Sequence, residues 1–260
     1  MNKIIIIGGG AAGYFTAINA KENNPDLEII ILEKGNDVLQ KVRISGGGRC
    51  NVTHACFTPK ELCEFYPRGE KELLGPFHQF MTGDTFEWFE NRGVPLKIED
   101  DNRVFPEANT SQAIIDCFQN AVDNLGIKVF TNCGVNSVYQ QENKWVINTK
   151  EKNFEADKVV IAAGSSKRIW DLCETLDHTI IEPVPSLFTF NINDKRLVDL
   201  LGTSVQNATV KIVGTKLEAS GPLLITHWGM SGPAVLKLSA FGARILADKK
   251  YQYNVEVNWL

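Results

Sequence analysis

Gly8, Gly10 and Gly13 have G-x-G-x-x-G spacing, and Glu33 follows about twenty residues later. Bare backbone of this kind lets N–H groups approach a pyrophosphate, and the carboxylate can accept from ribose hydroxyls. A carboxylate there would repel a 2′-phosphate, so this loop points to FAD or NAD rather than NADP. A second stretch, Ile44-Ser-Gly-Gly-Gly-Arg-Cys-Asn-Val52, repeats the theme. Its glycines can lie along a pyrophosphate, a ribityl chain or a flavin ring, with Arg49 offsetting phosphate charge. NAD would not need two such cradles, whereas the longer FAD could use both. Ile44, Cys50 and Val52 read as packed, which favours a built loop over the alternative of a flexible surface loop.

Other residues carry weaker chemical signals. His227, in Thr226-His-Trp-Gly-Met-Ser-Gly-Pro, sits where it could donate to a substrate carbonyl or relay a proton, or simply lock its loop. Cys50 and Cys56 raise the alternative of a redox dithiol beside a flavin; against it stands Cys50 as a small packed residue. Arg103 could meet a substrate anion or form a structural ion pair. Trp170, Trp228 and the phenylalanines at 86, 89, 188 and 190 read as core or interface packing, ahead of flavin stacking.

The elements that must position these residues follow from the apolar pattern. Ile4–Ile7 is a β-branched run suited to a strand buried on both faces. A breaker-free helix over Tyr14–Lys21 and a strand over Leu27–Leu32 complete a β-turn-α-β unit. Asp84–Arg92 and Ser111–Leu125 read as amphipathic helices closed by Gly93 and Gly126. Closely spaced strands at 127–131, 135–140 and 144–149 suggest an antiparallel meander. Lys158–Gly164 then returns to the parallel sheet. From about Pro185 the pattern changes to alternating strands, with a helix opening at Gly232-Pro and a clean alternation over 251–260.

Composition narrows the class. The 260 residues carry a formal net charge of -4, with 43% hydrophobic and 22% charged residues, as in an ordinary globular protein. No basic run follows a phosphate backbone, so no nucleic-acid partner is expected. No segment reaches membrane-spanning length or forms a signal-peptide core, and no membrane association is expected. The six cysteines include no C-x-x-C pair and read as reduced thiols, giving an expected cytoplasmic location. Oligomeric state is left open.

Five segments resemble bacterial NAD(P)/FAD-dependent oxidoreductases of the aminoacetone oxidase-like and bile-acid-reductase-like kind. They are IIIIGGGAAG, KVRISGGGRCNVT from Lys41, RVFPEA from Arg103, HTIIEPVPSLFTF from His178 and GPLLITHWGMSGPAVLKLSA from Gly221. Many members have Thr-Gly-Gly where this chain has Ala162-Ala-Gly-Ser-Ser166. The resemblance implies an α/β fold: a Rossmann-like FAD-binding domain, parallel sheet with antiparallel meander, carrying a β-rich inserted second domain. The expected boundaries are 1–188 and 189–260, the second being part of the insert. The family continues further, and the alternation over 251–260 ends without a turn, so the N-terminal part of a longer protein is expected.

The two loops and the resemblance together set the expected cofactor contacts. In the first region they are Gly8, Gly10, Ala12, Gly13, Glu33 and Lys34, joined by Val135, Ala163 and Gly164. Ser45, Gly46, Gly47, Gly48, Arg49, Cys50 and Asn51 supply the second loop. The expected activity is that of an FAD-binding oxidoreductase acting on a small or medium organic substrate by hydride transfer at the flavin, with NADH or NADPH as a candidate electron donor. The alternatives are a thiol/disulfide oxidoreductase using Cys50 and Cys56, and a non-enzymatic dinucleotide-binding module. The only candidate for catalysis is His227, and no metal is expected.

Overall fold

The computed structural model describes residues 2–259. They form two compact units: unit 1 spans 2–62 and 73–180, and unit 2 spans 63–72 and 181–259.

Unit 1 opens with β1 (Lys3–Ile7), α1 (Ala11–Asn23), β2 (Glu28–Leu32) and α2 (Gln40–Ile44). After β3 (Thr53–His54), α3 (Pro59–Glu64) and α4 (Glu70–Phe77) lead out of and back into this unit. Then come α5 (Thr82–Glu90), β4 (Leu96–Ile98), β5 (Arg103–Pro106), α6 (Ser111–Asn124) and β6 (Lys128–Phe130). The unit ends with β7 (Val135–Gln141), β8 (Lys144–Thr149), β9 (Asn153–Ala156), β10 (Lys158–Ile161) and α7 (Lys167–Glu174).

Strands β10-β1-β2-β6 make a four-stranded sheet, and its pairs are parallel. The isoleucine run explains why it is central. Ile6, Ile29 and Ile31 face a core built with Tyr14, Ile18, Trp88 and Phe118 from α1, α5 and α6. Ile5, Ile7, Ile30 and Leu32 face the other way, onto Val138 and Ile147 of the meander and Ile169 and Leu172 of α7. With both faces covered, the run needs no polar alternation. Thr110 caps α6 by accepting from the Gln112 N–H.

Two readings change. Residues 127–131 do not belong to the meander: β6 pairs with β2 in the parallel sheet, with Ile31 opposite Val129. The meander is instead β7-β8-β9, and its third strand begins at Asn153. A strand that follows the 14-residue helix α6 satisfies the crossover geometry of a parallel neighbour, which short spacing to β7 does not reveal.

Tyr14 is 2% exposed, and burial, aided by Asp123, Asp37 and Glu33, pushes its phenol up to about 12. Because the folded state then keeps a proton that the unfolded state releases above pH 10, stability should fall as pH rises from about 10 to about 12. Tyr14→Phe should flatten that part of the urea-denaturation profile; an unchanged slope would assign the loss elsewhere.

Unit 2 contains β11 (Phe190–Asn191), β12 (Ser204–Ile212), β13 (Glu218–Thr226), β14 (Gly229–Ser231), α8 (Pro233–Phe241), α9 (Ala243–Asp248) and β15 (Val255–Asn258). Its antiparallel sheet runs β11-β14-β13-β12-β15. Val210, Ile212, Leu223 and Ile225 pack against Val235 and Leu238 of α8. Tyr253, Val255 and Val257 join that core as their alternation predicts, whereas Tyr251 and Trp259 stay 41% and 40% exposed. Residues 63–72 also belong here, and the Arg68 guanidinium donates to the Ala240 carbonyl at 2.8 Å.

Candidate functional site

The first glycine loop turns sharply between β1 and α1. The Gly8 N–H donates to the Leu32 carbonyl at 2.8 Å, and the Tyr14 N–H reaches back to the Gly10 carbonyl at 3.0 Å to open the helix. Gly8 has φ +121°, and a Cβ there would lie 2.4 Å from the Ala162 carbonyl oxygen. At Gly10 a Cβ would meet nothing within 4 Å. The space over Gly10 is therefore open, and its backbone can be approached closely. No side chain caps α1 and no acidic residue stands in its first turn, so its leading N–H groups and positive dipole end are free to meet an anion.

The Glu33 carboxylate is fixed by backbone on both sides. Oε2 accepts from the Gly9 N–H at 2.8 Å and Oε1 from the Gly35 N–H at 2.7 Å. Each oxygen retains lone pairs, so the group is oriented for additional donors such as hydroxyls. Gly9 also accepts from the Leu39 N–H at 2.8 Å, which ties the start of α2 to the loop.

These groups line one cavity of about 460 Å³ within unit 1. Gly8, Gly10 and Ala12 form one wall, Glu33 and Lys34 another, and Val135, Ala163 and Gly164 a third. Gly13 does not line it; that residue sits behind the turn, where a Cβ would come within 2.0 Å of the Gly8 carbonyl oxygen. Its part is to let helix and strand approach.

The second loop lies elsewhere. Residues 45–51 are not in the lining, although Gln40, Lys41 and Val42 of the preceding α2 are. Ser45–Gly48 coil tightly, with Gly46 and Gly47 at φ +56° and +68°. Ser45 Oγ donates to the Val42 carbonyl at 2.9 Å, and its own carbonyl accepts from the Cys50 N–H at 3.0 Å. Arg49 is committed to Glu99, with Nη1 to Oε1 at 2.5 Å, and its guanidinium stacks 3.8 Å above the Phe105 ring. The Val104 N–H donates to Asn51 Oδ1 at 3.3 Å. Cys50 is buried as expected, but Ile44 is 73% exposed, so its apolar character did not signal packing. A Cβ at Gly47 or Gly48 would meet nothing within 4 Å, so the coil presents bare backbone to open space.

His227 and Trp228 form the two-residue turn between β13 and β14, flanked by the paired Thr226 and Gly229. Both rings are exposed and lie 3.5 Å apart between centroids. Arg103 pairs with Asp101 at 2.7 Å and Glu99 at 3.7 Å, the structural role left open for it. Cys50 and Cys56 are free thiols, both buried. Burial pushes the Cys50 thiol up, against a partial lowering by Ser45, which is the opposite of what activates a nucleophilic sulfur. Phe89 and Phe190 are core residues, while Trp228 is 58% exposed.

Sequence reasoning missed Lys41, Ser165 and Arg168, which line the cavity from α2, from the β10–α7 connection and from the first turn of α7. Lys41 opens the KVRISGGGRCNVT segment, but nothing in its spacing separates it from a surface lysine. No cluster of metal-ligating side chains occurs among the described residues, and none of their helices is long and apolar enough to cross a membrane.

A parallel sheet with a glycine turn, an uncapped helix start and an oriented carboxylate at the end of its second strand defines a Rossmann-type dinucleotide-binding protein. The HI0933-like protein Rossmann domain matches residues 2–239, and the chain belongs to that FAD-binding family. It is 26% identical over 270 residues to the 3-dehydro-bile acid delta(4,6)-reductase of Clostridium scindens, covering 100% of this chain and 65% of that protein. It is also 26% identical over 251 residues to the ribosomal RNA dihydrouridine synthase of Haemophilus influenzae, covering 91% of this chain and 61% of the relative. The chain thus spans less than two thirds of either relative. The solved structure of THI4 from Thermovibrio ammonificans aligns over 71% of this chain and 66% of its own, with 13% identity and a TM-score of 0.46. The second relative acts on RNA by name, so the lack of a basic run in this sequence does not exclude a nucleic-acid partner.

Proposed function

We propose that the chain is the cofactor-binding part of an FAD-dependent oxidoreductase that reduces a carbon–carbon double bond conjugated to a carbonyl. The observation that carries the cofactor reading is the cavity over Gly10, where bare backbone, the α1 N-terminus and the backbone-held Glu33 carboxylate converge. Those residues fit a dinucleotide: Gly8, Gly10 and Ala12 for the pyrophosphate, and Glu33 for ribose hydroxyls, with Lys34, Val135, Ala163 and Gly164 as further walls. FAD, when bound, supplies hydride transfer, and the protein's task is to bind it, orient it and keep competing water out.

The substrate class rests on what the two relatives' names share. A delta(4,6)-reductase of a 3-dehydro bile acid and a dihydrouridine synthase both add hydrogen across a double bond conjugated to a carbonyl. A small or medium organic enone is the reading preferred here, with NADH or NADPH as donor; a uracil ring in RNA is the second reading, favoured by the second relative. The exposed turn at His227 is the candidate proton relay for either, and Ser45–Asn51 with its open glycines is a candidate second contact for the flavin.

The test is a visible absorption spectrum of the purified chain, then acid release and chromatography of any yellow cofactor, and FAD titration if it is colourless. Released or titratable FAD is the expected result. Failure of this chain and of a longer version to bind FAD would end the flavoprotein reading. With FAD bound, NADPH oxidation driven by a conjugated steroid enone or by uridine-containing RNA separates the two substrate readings.

A further inference from the structure

Arg49 was the expected counter-ion for phosphate, and Glu99 holds it. The cavity's own cations are Lys34, Lys41 and Arg168. Arg168 donates to the Asn136 side chain, and Lys34 packs its stem beside Gly134. Lys41 differs. Its Nζ donates to Ser165 Oγ at 2.8 Å, joining α2 to the β10–α7 connection 124 residues away. That partner is neutral, and Lys41 forms no ion pair among the described residues.

Its position is set by backbone. The Leu39 N–H bonded to the Gly9 carbonyl at 2.8 Å anchors the start of α2 to the phosphate-type turn, two residues before Lys41. Across the cavity, Gly164 holds φ +60°, and the Lys41 ammonium lies 3.6 Å from where its Cβ would be. The ammonium therefore stands over bare backbone in a wall of the same cavity as Gly8 and Gly10. The carboxylates that line the cavity hold backbone donors, Glu33 those of Gly9 and Gly35 and Asp37 the Val38 N–H, and neither forms an ion pair with Lys41 among the described residues. A phosphate oxygen would make a charge-assisted bond to Nζ, stronger than the one the serine hydroxyl makes.

We propose that Lys41 is the cation that neutralises the pyrophosphate of the dinucleotide in this cavity, with Ser165 as the positioning residue that aims it. The assignment rests on the dinucleotide reading above. It gives the KVRISGGGRCNVT segment a binding role at its first residue, while Arg49 within it has a structural one.

Calorimetric titration of ADP and of adenosine into the chain tests it, with FAD titration as a check on the site. Lys41→Gln should weaken ADP on the order of 10–100-fold, flatten the salt dependence of that binding, and leave adenosine unchanged. Lys41→Arg should keep ADP within a few-fold, because charge is retained, and Ser165→Ala should fall between the two. If Lys41→Gln binds ADP as the wild type does, the inference fails while the dinucleotide reading stands. Equal loss in Lys41→Arg, or a loss in Lys34→Gln that Lys41→Gln does not share, also overturns it. A wild-type chain that binds neither ADP nor FAD removes the reading beneath it.

Discussion

Gly13→Ala should destabilise unit 1 by about 3–5 kcal/mol and remove most dinucleotide affinity, although Gly13 does not touch the cavity. The added Cβ would sit 2.0 Å from the Gly8 carbonyl oxygen, which is backbone and cannot swing aside. Relief requires α1 to move off β1 or Gly8 to shift. Gly8 is itself pinned, with its N–H on Leu32 and its α-carbon facing the Ala162 carbonyl. Either movement opens the turn whose geometry aims Gly10 and the helix start. Urea denaturation and FAD retention measure the two effects together. A variant within about 1 kcal/mol of wild type would mean that helix and strand have slack that their contacts do not show.

Phe105→Ala should cost a similar amount, about 3–5 kcal/mol, for a different reason. Its ring is 0% exposed, so truncation leaves a cavity the surroundings only partly fill. The ring is also the floor on which Arg49 lies at 3.8 Å, and a Cβ on Gly46 would touch it at 2.8 Å. Losing it should release the Ser45–Asn51 coil as well as the core. Phe105→Leu, which keeps much of the volume, should cost less than half as much. Thermal unfolding of both variants, with limited proteolysis near residue 49, separates core loss from loop release. Equal losses in the two variants would show that the stacked ring, and not its volume, dominates.

What could be read beforehand followed from local chemistry. Four consecutive isoleucines before a glycine turn can hardly be anything but a buried parallel strand, and the structure has β1 there, with Ile31 and Leu32 beside Ile6 and Ile7. The alternation of Tyr253, Val255 and Val257 was legible for the same reason. Pairings distant in sequence were not. Glu99 is 50 residues from Arg49, and Ser165 is 124 from Lys41, so no window over the chain shows which cation is occupied and which remains available. The sheet membership of 128–130 was hidden similarly, because its partner β2 lies about a hundred residues earlier. Ile44 shows the complementary error: apolar residues are found on surfaces as well as inside, so an isoleucine beside glycines does not establish packing.

The two-segment make-up of unit 2 bears on how the chain folds as it is synthesised. Residues 63–72, with the Arg68 that reaches the Ala240 carbonyl, leave the ribosome early, and the rest of their unit starts at residue 181. About 110 residues must be added in between, which at roughly 5–20 residues per second takes about 5–20 s. During that interval the short segment has no unit to join, while the surrounding parallel sheet can already assemble. Unit 2 therefore depends on a piece made well before the rest of it, so a gene fragment beginning at residue 181 would lack a structural part of that unit.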